Sequence, residues 1–275
     1  VNSHFLRDLG TAQVLLDKSR AVLTAPVSDL VRNGCGSAAL GVLVTLVDIV
    51  TSDPAMASCP DDWLATRDLV LHTAAPVTVG PVVVDARLTR VGSSGVVVGT
   101  NVYDGNGCDD LDELAATIDR GALVAAATGL VTFARMTRLA APGMDHYSPG
   151  DWIGEVRRTV GDATATSPVY DRLGARVLAA GAVEIDCSPY VVNSIGTVTG
   201  GAQAALAELA ALSVAPGQEA VDMQLHFLAQ VRVGPLRTRS AVVRRAPDHS
   251  VVNVRLLDAG DENRLLTLAT VTTQA

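Results

Sequence analysis

The strongest constraint on this chain is that it aligns with itself. At an offset of 160 residues, Asn33, Gly36, Gly41 and Leu46 fall on Asn193, Gly196, Gly201 and Leu206 without a gap, while Ser37 and Asp48 fall on Thr197 and Glu208. After a six-residue deletion the offset becomes 154, and DLVLHTAAPVTVGP at 68–81 lies over DMQLHFLAQVRVGP at 222–235 with eight of fourteen positions identical. A repeat of this length means two copies of one structural unit, so the fold of one half is the fold of the other. The 275 residues, 48% of them hydrophobic, are enough for two units with substantial cores.

Each half reads the same way. A short strand (RAVLTAP, AVEIDCSP) leads through a polar loop into an apolar helix, and alternating Val-rich segments follow at 67–75, 80–91, 95–103 and 122–133, then at 221–229, 234–245, 249–257 and 264–273. Period-2 alternation rich in β-branched residues, with turns such as VGSSG and APDHS between, predicts antiparallel strands. One long helix and about five strands per half predict an α+β unit whose sheet covers the helix, the two sheets meeting edge to edge. The expected divisions are an N-terminal unit at 1–135, a linker at 136–172 that reads as a solvated connection, and a C-terminal unit at 173–275. The acidic insertion NGCDDLDELAATID in the first half reads as an exposed loop or a short helix.

Composition narrows the partners. The net charge is −8 and Lys18 is the only lysine, so the cationic patch that nucleic acid requires is missing. No uninterrupted apolar run reaches the roughly 20 residues of a membrane helix, and no basic stretch followed by an apolar run opens the sequence, which predicts a cytoplasmic protein without a membrane partner. Cys35, Cys59, Cys108 and Cys187 lack metal-ligand spacing, so no metal is expected and the thiols are read as reduced.

The two helices carry the informative residues. From Ala38 to Val50 the sequence is apolar on every side except at Gly41, Thr45 and Asp48, which marks a buried helix. Asp48, and Glu208 in the second half, therefore place carboxylates where a charge must be paired or shifted in pKa. An asparagine lies fifteen residues upstream of each, Asn33 and Asn193. An Asn, a Gly-containing loop, small residues at the helix start and TLVD within the helix together resemble the hotdog-fold acyl-CoA thioesterases, in particular the phenylacetyl-CoA thioesterase-like group. The resemblance covers about 10–134 and 173–274 and implies a double hotdog protein. The turn that usually reads His-Gly-Gly there reads ALG at 39–41 and TGG at 199–201.

The resemblance implies roles. Asn33 and Asn193 orient water or the thioester, the N–H groups of Leu40 and Gly200 bind the oxyanion, and Asp48 and Glu208 supply the carboxylate. Thr66 supplies a hydroxyl whose counterpart is Ala220, and Gly41 and Gly201 let substrate approach the backbone. An acyl-CoA is the implied substrate, coenzyme A enters only as part of it, no separate cofactor is needed, and the double units could assemble further as a homo-oligomer. The oxyanion N–H and the carboxylate of one half are eight residues apart on one helix, about 12 Å at 1.5 Å per residue, too far to serve one carbonyl. A working site must then take its N–H from one half and its carboxylate from the other: Asn193, Gly200, Asp48 and Thr66 in one, Asn33, Leu40 and Glu208 in the other. The second is expected to be the weaker, because Leu40 crowds the oxyanion position and Ala220 offers no hydrogen bond. Whether the carboxylate acts as general base or nucleophile is open at this level. The alternative is a noncatalytic acyl-CoA-binding or structural homologue; a hotdog hydratase lacks its motif here.

Five further residues complete the candidates. His72 and His226 occupy matched strand positions and are expected to make structural hydrogen bonds. Cys35 has Ile195 as its counterpart, which argues against a required thiol. Arg90 and Arg244 are matched and could contact CoA phosphates or simply end solvated strands.

Overall fold

The computed structural model describes residues 3–138, 148–161, 165–193 and 196–275. The first half contributes strands β1 (Ala12–Asp17), β2 (Arg20–Ala25), β3 (Asp62–Thr73), β4 (Val82–Val91), β5 (Gly95–Asp104) and β6 (Ala125–Thr137); a short β7 (Val156–Arg158) follows. The second half contributes β8 (Arg176–Ala179), β9 (Ala182–Ile185), β10 (Glu219–Phe227), β11 (Leu236–Arg245), β12 (His249–Asp258) and β13 (Arg264–Gln274). Each half has six strands rather than five, because β1 and β8 pair with the strands that open the halves. All thirteen form one antiparallel sheet in the order β7-β1-β2-β4-β5-β6-β3-β10-β13-β12-β11-β9-β8. The halves meet at β3 and β10, as expected, with His72 opposite Asp222 and Asp68 opposite His226. Those residues bridge the seam in pairs: His226 Nδ1 lies 2.7 Å from Asp68 Oδ1, and His72 Nδ1 lies 3.5 Å from Asp222 Oδ1. Of the two, His226 makes the hydrogen bond expected of it.

Two long helices, α2 (Leu40–Ala57) and α5 (Gly200–Val214), are sheathed by this sheet, with α1 (Phe5–Asp8), α3 (Leu111–Asp119) and α4 (Val169–Arg172) as shorter additions. Helix α2 is long and apolar enough to cross a membrane by composition, but 78% of that stretch is buried inside the protein. The architecture is an α+β fold of two tandem hotdog units, each an antiparallel sheet around a long central helix. Repeated sequence identities have repeated structural causes. In the shared VGP loops, Asp104 accepts from the N–H groups of Thr78, Val79 and Gly80, and Asp258 accepts from those of Arg232, Val233 and Gly234.

The helices cross at small residues. A methyl on Gly41 would lie 2.8 Å from Ala205 Cα and 2.9 Å from Ala205 N, and one on Gly201 would lie 2.9 Å from Thr45 Cβ. Because residue 205 is the repeat partner of 45 and 201 of 41, the contact is two-fold in character. It directs the N-terminus of each helix toward the middle of the other. Gly41 and Gly201, which the sequence suggested for substrate approach, are buried here and make room for the opposite helix.

Two connecting segments are more structured than the sequence suggests. In the acidic insertion, Asp110 caps α3 by accepting from the N–H groups of Asp112 and Glu113, and the helix buries Leu111, Leu114 and Ala115 on the outer face of the sheet against Val14, Val22 and Val83. The segment at 136–172, parts of which lie outside the described residues, is not simply solvated. β7 pairs with β1, Arg157 bonds buried Asp53, and α4 docks by the Val169 N–H onto Leu30 O at 2.8 Å. The arms α1 and α4 form a further repeat, FLRDLG at 5–10 over VYDRLG at 169–174, at an offset of 164. Each arm lies on the other half: Phe5 N–H donates to Tyr190 O at 2.9 Å, and Arg172 pairs with Asp8, its own repeat partner, at 2.8 Å.

The crossing is testable by one methyl group. Gly41→Ala should lower the urea-unfolding stability by about 1–3 kcal/mol through overpacking, despite the gain in helix propensity of about 1 kcal/mol. A variant as stable as wild type would show that the helices do not meet at Gly41.

Candidate active site

Each carboxylate faces the N-terminus of the opposite helix, and the two pairs are unlike. Glu208 on α5 reaches the first turn of α2, where Oε2 accepts from the Gly41 N–H at 2.7 Å and Oε1 from the Leu40 N–H at 3.2 Å. Tyr170 of α4 adds a third donor, its hydroxyl bonding Oε2. Helix α2 has no side-chain cap at Ala39, so Glu208 satisfies its first amides from across the interface, and the helix dipole favours a negative charge there. Glu208 is buried; burial pushes its pKa up, opposed by the bonds from Tyr170, Gly41 and Leu40. Burial and the adjacent Glu208 charge hold the Tyr170 phenol well above its usual range.

Asp48 on α2 faces Gly200 at the start of α5. A side chain on Gly200 would begin 2.9 Å from Asp48 Oδ2 and 3.3 Å from the ring of Phe227. Asp48 is one methylene shorter than Glu208 and makes no hydrogen bond to the helix. Its Oδ1 accepts from the Thr66 hydroxyl at 2.7 Å, and Oδ2 has no partner among the described residues. Thr199 caps α5 by accepting from the Ala202 N–H at 3.3 Å, leaving the Gly200 N–H without a partner among the described residues. Burial raises the Asp48 pKa, opposed by the Thr66 bond. Strand β3 shifts register between Thr66 and Asp68, and β10 shifts at the matching pair Ala220 and Asp222, so the same bulge presents Thr66 to Asp48 and Ala220 to the other side.

The expected residues thus come together in part. Gly200, Asp48 and Thr66 form one group; Leu40 and Glu208 form another, with the Leu40 N–H already engaged. Leu40 does not crowd its position from above, because its buried side chain lines a cavity of about 300 Å³ with Asn33, Leu43 and Ala220. What engages the Leu40 N–H is Glu208 itself, with the Tyr170 hydroxyl bonded to Glu208 beside Gly41. The asparagines shape loops: Asn33 Oδ1 accepts from the Cys35 and Ser37 N–H groups at 3.1 and 3.0 Å, and Asn193 Oδ1 accepts from the Thr197 N–H at 3.1 Å. Each amide oxygen thus holds its own loop. Asn193 also borders an open cleft with His4, Leu6 and Val192. Cys35 lies 3.5 Å from Glu219 Oε1, which raises its pKa, against a role as nucleophile; Ile195 lies outside the described residues. Arg90 and Arg244 are exposed near the ends of β4 and β11. Tyr170 and Phe227 were missed in the sequence, although the offset-164 repeat marks Tyr170 as the counterpart of Leu6.

Comparison with known proteins agrees with the fold that carries this arrangement. Residues 36–108 match the family model described as Thioesterase superfamily, and 189–274 match the Acyl-CoA thioesterase N-terminal domain. The chain belongs to the hotdog thioesterase superfamily, in tandem form. A protein described as an oleoyl thioesterase from Lactobacillus plantarum superposes with a TM-score of 0.61 at 9% identity, covering 94% of this chain and 96% of that one. The tesB protein of Mycobacterium avium subs paratuberculosis gives 0.58 at 10% identity, covering 94% and 93%, and an acyl-ACP thioesterase from Bacteroides thetaiotaomicron gives 0.55 at 10%, covering 93% and 98%. At these identities the structures show the shared fold. No curated protein matches the sequence. The superfamily supports thioester hydrolysis as the chemistry, with an acyl thioester as substrate.

The environment of Asp48 makes a stability prediction. A carboxyl whose folded pKa lies above its unfolded value costs stability once it is ionised in the fold, a cost absent below the unfolded pKa and complete above the folded one. Asp48→Asn keeps an acceptor for Thr66 and removes the charge, so its melting temperature should equal or exceed that of wild type at pH 8, with the advantage shrinking toward pH 4. A large loss of stability at pH 8 would mean that the charged form is held by contacts not identified here.

Proposed function

We propose that this protein is an acyl-CoA thioesterase with one working site per chain, built across the two halves from the Gly200 N–H, Asp48 and Thr66. The supporting observation is the pairing of a helix-terminal amide with a carboxylate oxygen, neither of which has a partner among the described residues. The thioester carbonyl accepts from the Gly200 N–H, where the helix dipole stabilises the charge that develops on oxygen. Asp48, its pKa raised toward the range in which a base is effective, takes a proton from water as the water oxygen bonds to the carbonyl carbon. The C–S bond then breaks, the thiolate leaves with that proton, and the products are a free acid and CoA. Thr66 holds Oδ1 and so directs Oδ2 at the reacting centre, and Phe227 walls the glycine side. The route draws on no metal or redox cofactor, coenzyme A enters as part of the substrate, and the setting is cytoplasmic. The acidic, lysine-poor chain supports neither nucleic acid nor membrane as partner.

Release of free thiol from a panel of acyl-CoAs tests the reading. Asp48→Asn should lower kcat by roughly 10²-fold or more, the size of a lost acid/base group, while Glu208→Gln keeps most of the turnover in whatever fraction folds. Because the base must be ionised, kcat/KM should fall on the acid side through a pKa above the ordinary 3.8 of an aspartate. Wild-type turnover in Asp48→Asn, or the reverse ranking of the two variants, would contradict the assignment. Binding of an acyl-CoA without hydrolysis would favour a noncatalytic homologue.

A further inference from the structure

The second composite position is closed by the chain itself, and we propose that Tyr170 is the plug that keeps it shut: its phenol holds Glu208 on the Leu40 and Gly41 amides, where the carbonyl oxygen of an acyl thioester would have to bind, and so closes a latent second thioester site. The inference rests on the composite-site reading above and adds to it a reason why only one site works.

Tyr170 reaches the start of α2 from the connecting segment. Its hydroxyl donates to Glu208 Oε2, the same oxygen that accepts from the Gly41 N–H at 2.7 Å, and its Oη is the atom nearest to where a side chain on Gly41 would begin. Glycine at 41 thus admits both Ala205 and the phenol. The arm that carries Tyr170 is held at three points: buried Val169, the Val169 N–H to Leu30 O, and the Arg172–Asp8 ion pair. A buried carboxylate needs donors and a buried phenol hydroxyl needs a partner, so each residue answers the other's requirement.

The matching arm carries Leu6 in place of Tyr170. Leucine has no hydroxyl to offer, and on that side the Gly200 N–H and Asp48 Oδ2 have no partner among the described residues. The two sites therefore share a helix terminus and a carboxylate but differ in who occupies them. On the Leu40 side of the closed site, a cavity of about 300 Å³ lined by Asn33, Leu40, Leu43 and Ala220 offers room for a ligand.

Tyr170→Gly removes the plug and leaves a phenol-shaped hole with Glu208 at its base. The variant should melt below wild type, and millimolar phenol should raise its melting temperature while toluene, similar in size without the hydroxyl, raises it much less. Neither compound should stabilise wild type. Equal effects of phenol and toluene, or an equal phenol effect on wild type, would overturn the proposal. In the Asp48→Asn background, adding Tyr170→Gly should restore acyl-CoA hydrolysis at least 10-fold over Asp48→Asn alone, and Glu208→Gln should abolish the gain; no gain would overturn the latent-site claim. If wild type releases no thiol at all, the functional reading has failed, and phenol rescue still decides the plug. Should the glycine variant not fold, Tyr170→Phe should lower the melting temperature by a few degrees in wild type and by much less in Glu208→Leu. Equal losses in the two backgrounds would show that the phenol and the carboxylate are not coupled.

Discussion

The close crossing of α2 and α5 is the contact on which the rest of the structure depends. Gly41 against Ala205 and Gly201 against Thr45 bring two helix backbones together at the heart of a thirteen-stranded sheet. Eight residues separate each helix start from the carboxylate on the same helix, so a single hotdog unit cannot join the two groups. The two-fold crossing joins them across the halves: residue 48 meets residue 200, and residue 208 meets residues 40 and 41. The sheet seam at β3 and β10 fixes the relation between the units, and the crossed arms α1 and α4 tie each half to the other.

Within that shared frame the two sites have opposite electrostatic outcomes. Glu208 has the extra methylene needed to reach the α2 amides, and with Tyr170 it forms a closed set in which the Leu40 and Gly41 amides are both used. Asp48 stops short, leaning on Thr66, with an oxygen and a helix amide left over. A closed set stabilises a fold and does no chemistry. An open one costs stability, since a partly desolvated carboxylate with one hydrogen bond is held above its ordinary pKa, and that same cost makes it a usable base.

Much of this was legible in the sequence because the chain is its own alignment. The matched Asn33 and Asn193, the VGP loops and the carboxylates at 48 and 208 indicated two hotdog units, and helix geometry alone indicated that the groups must cross between them. The asymmetry was also readable in Thr66 against Ala220. The roles of the small residues were not: glycine at a helix start suits substrate approach and helix contact equally, and only three-dimensional packing separates Gly200, which faces Asp48, from Gly41 and Gly201, which face the other helix. Tyr170 escaped notice because its arm repeats at an offset of 164 rather than 160, with Leu9–Gly10 over Leu173–Gly174 as the only identities, and lies in a segment that reads as a polar linker. The asparagines had a second reading that the sequence did not separate, since an Asx-type loop places the same residue at the same spacing.

The central claim is that one composite site per chain is open and the other is filled from within. Equilibrium titration with a non-hydrolysable thioether analogue of the best acyl-CoA substrate measures this directly. The account predicts one analogue bound per chain, with binding weakened by Gly200→Leu, which places a side chain against Asp48. Two equivalent analogues per chain, or a single one insensitive to Gly200→Leu, would contradict it.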